Sequence, residues 1–190
     1  EKLDRTLMPA VLPLLGRLGG AKALERVSAA MNDPDPVLRE AAIRALCNWP
    51  TAEVADQLLR LATAGEKETY RRWALRAYIR VVTLPSDRPE AETLSYLQKA
   101  MELANVPEDR QLVLRRAATV RTMETVEWIA SYLNQAELAQ AACESLVELA
   151  HHRFLRQPNM ERFGPILEKV EQVSTDPSIV EQAKRYRLGL

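Results

Sequence analysis

The feature that most limits what this chain can fold into is a spacing. In "AMNDPDPVLREAAIRALCNW", residues 30–49, one helix ends, the chain turns through Asp33-Pro34-Asp35-Pro36, and a second helix begins. An aspartate caps a following helix with its side-chain oxygen, and a proline in the first helical turn gives up no hydrogen bond the helix needs. Val37, Ala41, Ala42, Ala45 and Leu46 then recur at helical spacing and make one apolar face, while Arg39, Glu40 and Arg44 point elsewhere. The alanines allow a neighbouring helix to approach closely.

This unit recurs. Ala42-Ile43-Arg44-Ala45 aligns with Ala74-Leu75-Arg76-Ala77 at an offset of 32, and Leu15-Gly16-Arg17-Leu18 aligns with Leu46-Cys47-Asn48-Trp49 at an offset of 31. Val113-Leu114-Arg115-Arg116 and Ala142-Cys143-Glu144-Ser145 fit the same frame beyond "TLPSDRPEAE", residues 83–92, whose two prolines mark a longer loop inserted between repeats. The frame predicts first helices near 21–31, 52–64, 89–104, 123–134 and 159–173. It predicts second helices near 36–48, 67–82, 107–119, 136–151 and 177–187, with residues 4–18 an orphan second helix kinked by Pro9 and Pro13.

A hairpin of this period cannot bury its apolar face alone, so successive hairpins stack on one another. The fold expected is all-α, a right-handed α-α superhelix of about five hairpins plus the N-terminal orphan helix, with second helices on the concave side. Ile43, Leu46, Leu75, Leu114, Cys143 and Leu146 hold equivalent places in the frame and are predicted to be equally buried.

With 47% hydrophobic residues in 190, the chain can bury a core as one domain over 1–190. Its start at Glu1, in mid-repeat, is expected of a piece of a longer protein. Lys plus Arg equals Asp plus Glu at 26 each, so no overall field draws it toward nucleic acid or an anionic membrane. No apolar run reaches the roughly 18 to 20 residues needed to span a bilayer. Cys47 and Cys143 stand in no metal or redox spacing, and Cys143 takes the place of Ile43, which predicts a buried apolar thiol.

"LLGRLGGAKALERV" (residues 14–27) and "DPDPVLREAAIRALCNW" (residues 33–49) resemble the short HEAT-like repeats of the phycobilisome-lyase type, with their D-P turn, V-R pair and A-A-x-A-L run. The resemblance covers nearly the whole chain and is closest over residues 14–82. "LPSDRPEAETL", residues 84–94, is similar to HEAT segments inside large exported bacterial proteins, beside sugar-hydrolase-like or haem-binding domains. That likeness implies an exported or periplasmic setting, although two free cysteines suit the cytoplasm equally.

The chemistry-bearing motifs are few. Gly16-Arg17-Leu18-Gly19-Gly20 follows a helix-like segment and lacks the Lys-Ser/Thr pair of a phosphate loop, so it reads as a helix-ending turn. His151 and His152 are the only histidines and fall at a helix end, where a polar ring suits the terminal carbonyls. They lack the paired His-Glu motifs that a HEAT-like di-iron hydroxylase resembles, and no Ser or Cys nucleophile joins them in a catalytic pattern. Neither enzymatic activity, a cofactor, a metal nor a small-molecule ligand is expected.

The arginines recur in two columns. Arg39, Arg71 and Arg110 each precede Arg44, Arg76 and Arg115 by five residues, or about 140° of helical rotation, so the two columns serve different ends. The family resemblance implies that the Arg39 column pairs with acidic residues and knits repeats together. Arg44, Arg76 and Arg115, with Arg72 and Arg80 one turn either side of Arg76, form a basic stripe that has two readings: it receives an acidic protein partner or an adjoining domain, or its arginines simply pair with nearby glutamates. Trp49 and Trp73 are expected to fill inter-repeat space, and Trp128 to be partly exposed. The expected role is a noncatalytic interaction scaffold. A nucleic-acid-binding HEAT protein of the DNA-glycosylase type is the alternative, which the charge balance disfavours, and a pigment-lyase or chaperone role comes third.

Overall fold

The computed structural model describes residues 5–190, and every regular element among them is helical. None of these helices is long and apolar enough to cross a membrane. The chain divides into two compact units, one ending at Leu84 and the other spanning Pro85–Leu190, with the boundary inside the proline-containing loop that the sequence marks as an insertion.

The first unit contains α1 (Met8–Leu18), α2 (Ala21–Ala30), α3 (Pro36–Cys47), a 3-10 turn at Ala52–Val54 leading into α4 (Ala55–Ala64), and α5 (Glu68–Val82). The predicted beginning of the orphan helix at residue 4 lies outside the described residues; α1 itself starts at Met8. Pro9 sits in its first turn, while Pro13 lies inside the helix. Gly19 and Gly20 end α1 with φ of 70° and 88°, backbone that glycine adopts without strain, which bears out the helix-ending turn.

Local chemistry explains the hairpin boundaries. Asp35 Oδ1 accepts from the Val37 amide at 2.9 Å with Pro36 in the first turn, so the Asp-Pro turn starts α3 as the sequence requires. Asp176 repeats the device at the start of the last helix, accepting from the Ser178 amide at 2.8 Å ahead of Pro177. Within the unit α1 packs on α3 and α3 on α5, so second helices stack against second helices, while α2 backs α3 and α4 backs α5. The α1 and α3 backbones nearly touch: a Cβ on Gly16 would lie 2.3 Å from the Ala45 carbonyl oxygen. Leu12, Val27, Leu46, Trp49, Leu58 and Ile79 fill the core.

The second unit contains α6 (Glu90–Leu103), α7 (Pro107–Ala117), α8 (Met123–Ala130), α9 (Ala136–His151), α10 (Arg153–Arg156), a 3-10 turn at Gln157–Asn159, α11 (Met160–Val173) and α12 (Pro177–Arg187). Again the second helices α7, α9 and α12 pack in succession, with α6 on α7, α8 on α9 and α11 on α12. The short α10 and its 3-10 turn were not foreseen. They are held by Arg156, only 1% exposed, whose Nη1 donates to the Ala150 carbonyl at 2.7 Å while its guanidinium lies over the Tyr186 ring at 4.6 Å. The six frame positions from Ile43 to Leu146 are all buried, Cys143 included.

The Arg39 column corrects one expectation. Arg39 Nη1 donates to the carbonyls of Asp33 at 3.0 Å and Pro34 at 3.2 Å, and Arg71 Nη1 to the carbonyl of Gly65 at 2.8 Å. The acceptors are therefore the carbonyls of the inter-helix turn, not carboxylates. Carbonyls at the end of a first helix have no partner inside it, and an arginine early in the next helix reaches back to satisfy them. Arg110 departs further, its Nε lying 3.4 Å from the Met101 sulfur.

Candidate functional site

In the first unit the facing surfaces of α3 and α5 enclose a shallow trough. One stretch, of ≈ 370 Å³, is bounded by Pro36, Val37, Glu40, Ala41, Arg44 and Lys67. The next, of ≈ 350 Å³, shares Arg44 and continues along Cys47, Asn48, Trp73, Arg76, Ala77 and Arg80. The repeat frame builds this arrangement, because Arg44 and Arg76 occupy the same position of successive second helices.

Arg44 is the hinge between the two stretches. Its guanidinium lies over the Trp73 ring at 4.1 Å and donates twice to Glu40 Oε1, from Nη2 at 3.0 Å and Nε at 3.2 Å. The Tyr70 hydroxyl donates to the other Glu40 oxygen at 3.2 Å, and Lys67 Nζ lies over the Tyr70 ring at 4.9 Å. The Arg44 hydrogen bond, followed by that of Tyr70, holds the Glu40 carboxyl below the usual carboxylate range. A ladder of cations and rings thus ties α3 to α5 while leaving Arg44 and Arg76 exposed. The charged side chains lining the trough are Glu40 on one side of the balance and Arg44, Lys67, Arg76 and Arg80 on the other, so a chain of zero formal charge carries a positive trough.

The five arginines singled out by their spacing meet different surroundings. Arg44, Arg76 and Arg80 line one trough, and Arg72 is exposed on the same helix, α5. Arg80 is half-buried and donates through Nη2 to the carbonyls of Trp49 at 2.7 Å and Cys47 at 3.3 Å, closing the C-terminal end of α3. Arg115 belongs to the second unit, where it pairs with Glu144 at 3.8 Å.

The tryptophans divide similarly. Trp49 is fully buried, its indole donating to Glu53 Oε1 at 2.7 Å, as expected of inter-repeat filling. Trp73 is only half-buried, because the facing α3 position is an arginine that stacks on its ring and leaves that edge in the trough. Spacing had not marked Trp73 or Lys67 for this site; their signal is that each falls beside an arginine column. Trp128 is half-buried against Tyr132, with ring centroids 5.5 Å apart.

The stacked helical hairpins have the all-α architecture of HEAT-like repeats. The family model for HEAT repeats matches residues 10–79, which include both helices that form the trough. No curated protein matches the chain.

Proposed function

We propose that this chain is a noncatalytic protein-interaction scaffold, and that the α3–α5 trough receives an acidic segment of a protein partner or of an adjoining domain of the same polypeptide. The reading takes residues 1–190 as one repeat domain of the phycobilisome-lyase type, working within a larger multidomain protein. HEAT repeats generally serve protein interaction, and the trough supplies what such a partner needs. The observation that carries the reading is the positive lining of Arg44, Lys67 and Arg76 around the half-buried Trp73, on a chain of zero formal charge. Guanidiniums bind carboxylates through two parallel hydrogen bonds, and an indole offers an apolar seat between them.

Selection from a random peptide display library tests it. Sequences rich in Asp and Glu with an apolar anchor are expected, and Arg76→Glu should weaken their binding by roughly tenfold or more, as breaking a desolvated charge pair does. An unbiased selection, or binding indifferent to Arg76, overturns the reading. Tight binding of duplex DNA with a steep salt dependence would favour the nucleic-acid alternative instead.

A further inference from the structure

Glu40 already occupies a seat that the trough offers to a carboxylate. Its Oε1 accepts from Arg44 Nη2 at 3.0 Å and Nε at 3.2 Å, and its Oε2 accepts from the Tyr70 hydroxyl at 3.2 Å. The seat is thus built by α3 and α5 together, and it engages both oxygens. The Trp73 ring, 4.1 Å from the guanidinium, gives Arg44 a second support that does not depend on Glu40. The arrangement is particular to this repeat: four residues before Arg76 and Arg115 stand Arg72 and Gln111, so neither arginine has an acid at this spacing on its own helix. The pair is also open, the side chains of Glu40 and Arg44 being 39% and 56% exposed. An ion pair so hydrated is held weakly, and Glu40 can yield to another carboxylate by turning into solvent.

We infer that Glu40 is an internal competitor for the partner: it fills the Arg44 seat in the free chain and is displaced when an acidic segment binds. The inference rests on the acidic-partner reading of the trough proposed above. It makes the trough selective for segments that carry several carboxylates. A single carboxylate only exchanges with Glu40 and gains little, whereas a further one on the same segment reaches Lys67 or Arg76, which line the same trough.

Fluorescence anisotropy of the labelled peptide Glu-Glu-Leu-Glu-Glu, titrated with the whole chain, reads the competition. Glu40→Gln keeps an acceptor for Tyr70 and should tighten binding about three- to tenfold, the order expected when one like charge leaves a partly hydrated site. Glu25→Gln makes the same charge change at an exposed position of α2 outside the trough lining, and should tighten binding by less than about twofold. In an Arg44→Gln chain, adding Glu40→Gln should likewise gain less than about twofold, since no seat remains to be freed. If Glu40→Gln binds the peptide as the wild type does, or more weakly, the inference falls while the acidic-partner reading stands. The same follows if Glu25→Gln matches its gain, or if the gain survives the loss of Arg44. Chains that ignore the peptide both with and without Glu40 overturn the acidic-partner reading and this inference together. Urea unfolding checks the fold of each variant; if Glu40→Gln is destabilised, Glu40→Ala, a stronger helix former, takes its place with the same expected gain.

Discussion

One substitution made at two places isolates what repeat packing adds to helix chemistry. Replacing an interior helical glycine by alanine ordinarily stabilises a protein by about 0.5–1 kcal/mol, because glycine loses more backbone freedom on folding. Gly164, inside α11, has no atom beyond its chain neighbours and its own helix within 4 Å of where a Cβ would stand, but the ring of Pro165 crowds a Cβ on the helical residue before it, so Gly164→Ala should stay within about 0.5 kcal/mol of the wild type. Gly16, inside α1, has the Ala45 carbonyl oxygen at 2.3 Å, its Cα at 2.7 Å and its carbonyl carbon at 2.8 Å from the same point. These are backbone atoms, and no rotamer change relieves them. α1 and α3 must move apart, loosening the Leu12 and Leu46 packing, and overpacking of this kind costs about 1–3 kcal/mol. Set against the propensity gain, Gly16→Ala should lose about 1–2 kcal/mol, which places it clearly below Gly164→Ala. Urea unfolding followed by circular dichroism gives the totals, and amide hydrogen exchange reads α3 and α11 separately. A Gly16→Ala protein as stable as the wild type, or more so, would refute the close approach of α1 to α3.

Arg76→Glu should leave stability within about 0.5 kcal/mol, as exposed substitutions do, whereas Arg80→Met should cost about 1–2 kcal/mol by stranding the Trp49 and Cys47 carbonyls; denaturant midpoints compare them. Burial pushes the Cys47 thiol up to about 12 and the Cys143 thiol up to about 11, so iodoacetamide at pH 8 should label both slowly in the native protein and quickly in urea, read by mass spectrometry. Burial, followed by the nearby Arg121, lowers the His152 pKa below its ordinary value. The unfolded chain then binds the proton more readily, so His152 should draw stability down as pH falls below about 6.5, and His152→Gln should flatten that slope in urea melts run from pH 7 to 5.

The sequence alone determined the scaffold, because each signal that builds a hairpin acts within a few residues. Asp35 and Pro36 start α3, Gly19 and Gly20 end α1, and the apolar frame sets the depth of Ile43, Leu75, Leu114 and Cys143. The site was legible only as a column of arginines at one repeat position. Spacing could not tell Arg76, exposed in the trough, from Arg80, which turns back onto α3, since both follow the same helical step on α5. That distinction depends on where the C-terminal carbonyls of α3 come to lie beside α5, a matter of packing between helices about 30 residues apart. Arg115 holds the frame position of Arg44 yet lies in the other compact unit, opposite Glu144. The tertiary structure likewise decided that Trp49 is core while Trp73 borders the trough, and that Gly16 serves contact as well as conformation. Local periodicity records which side of a helix is apolar; which neighbour meets that side, and how closely, exists only once the helices have packed.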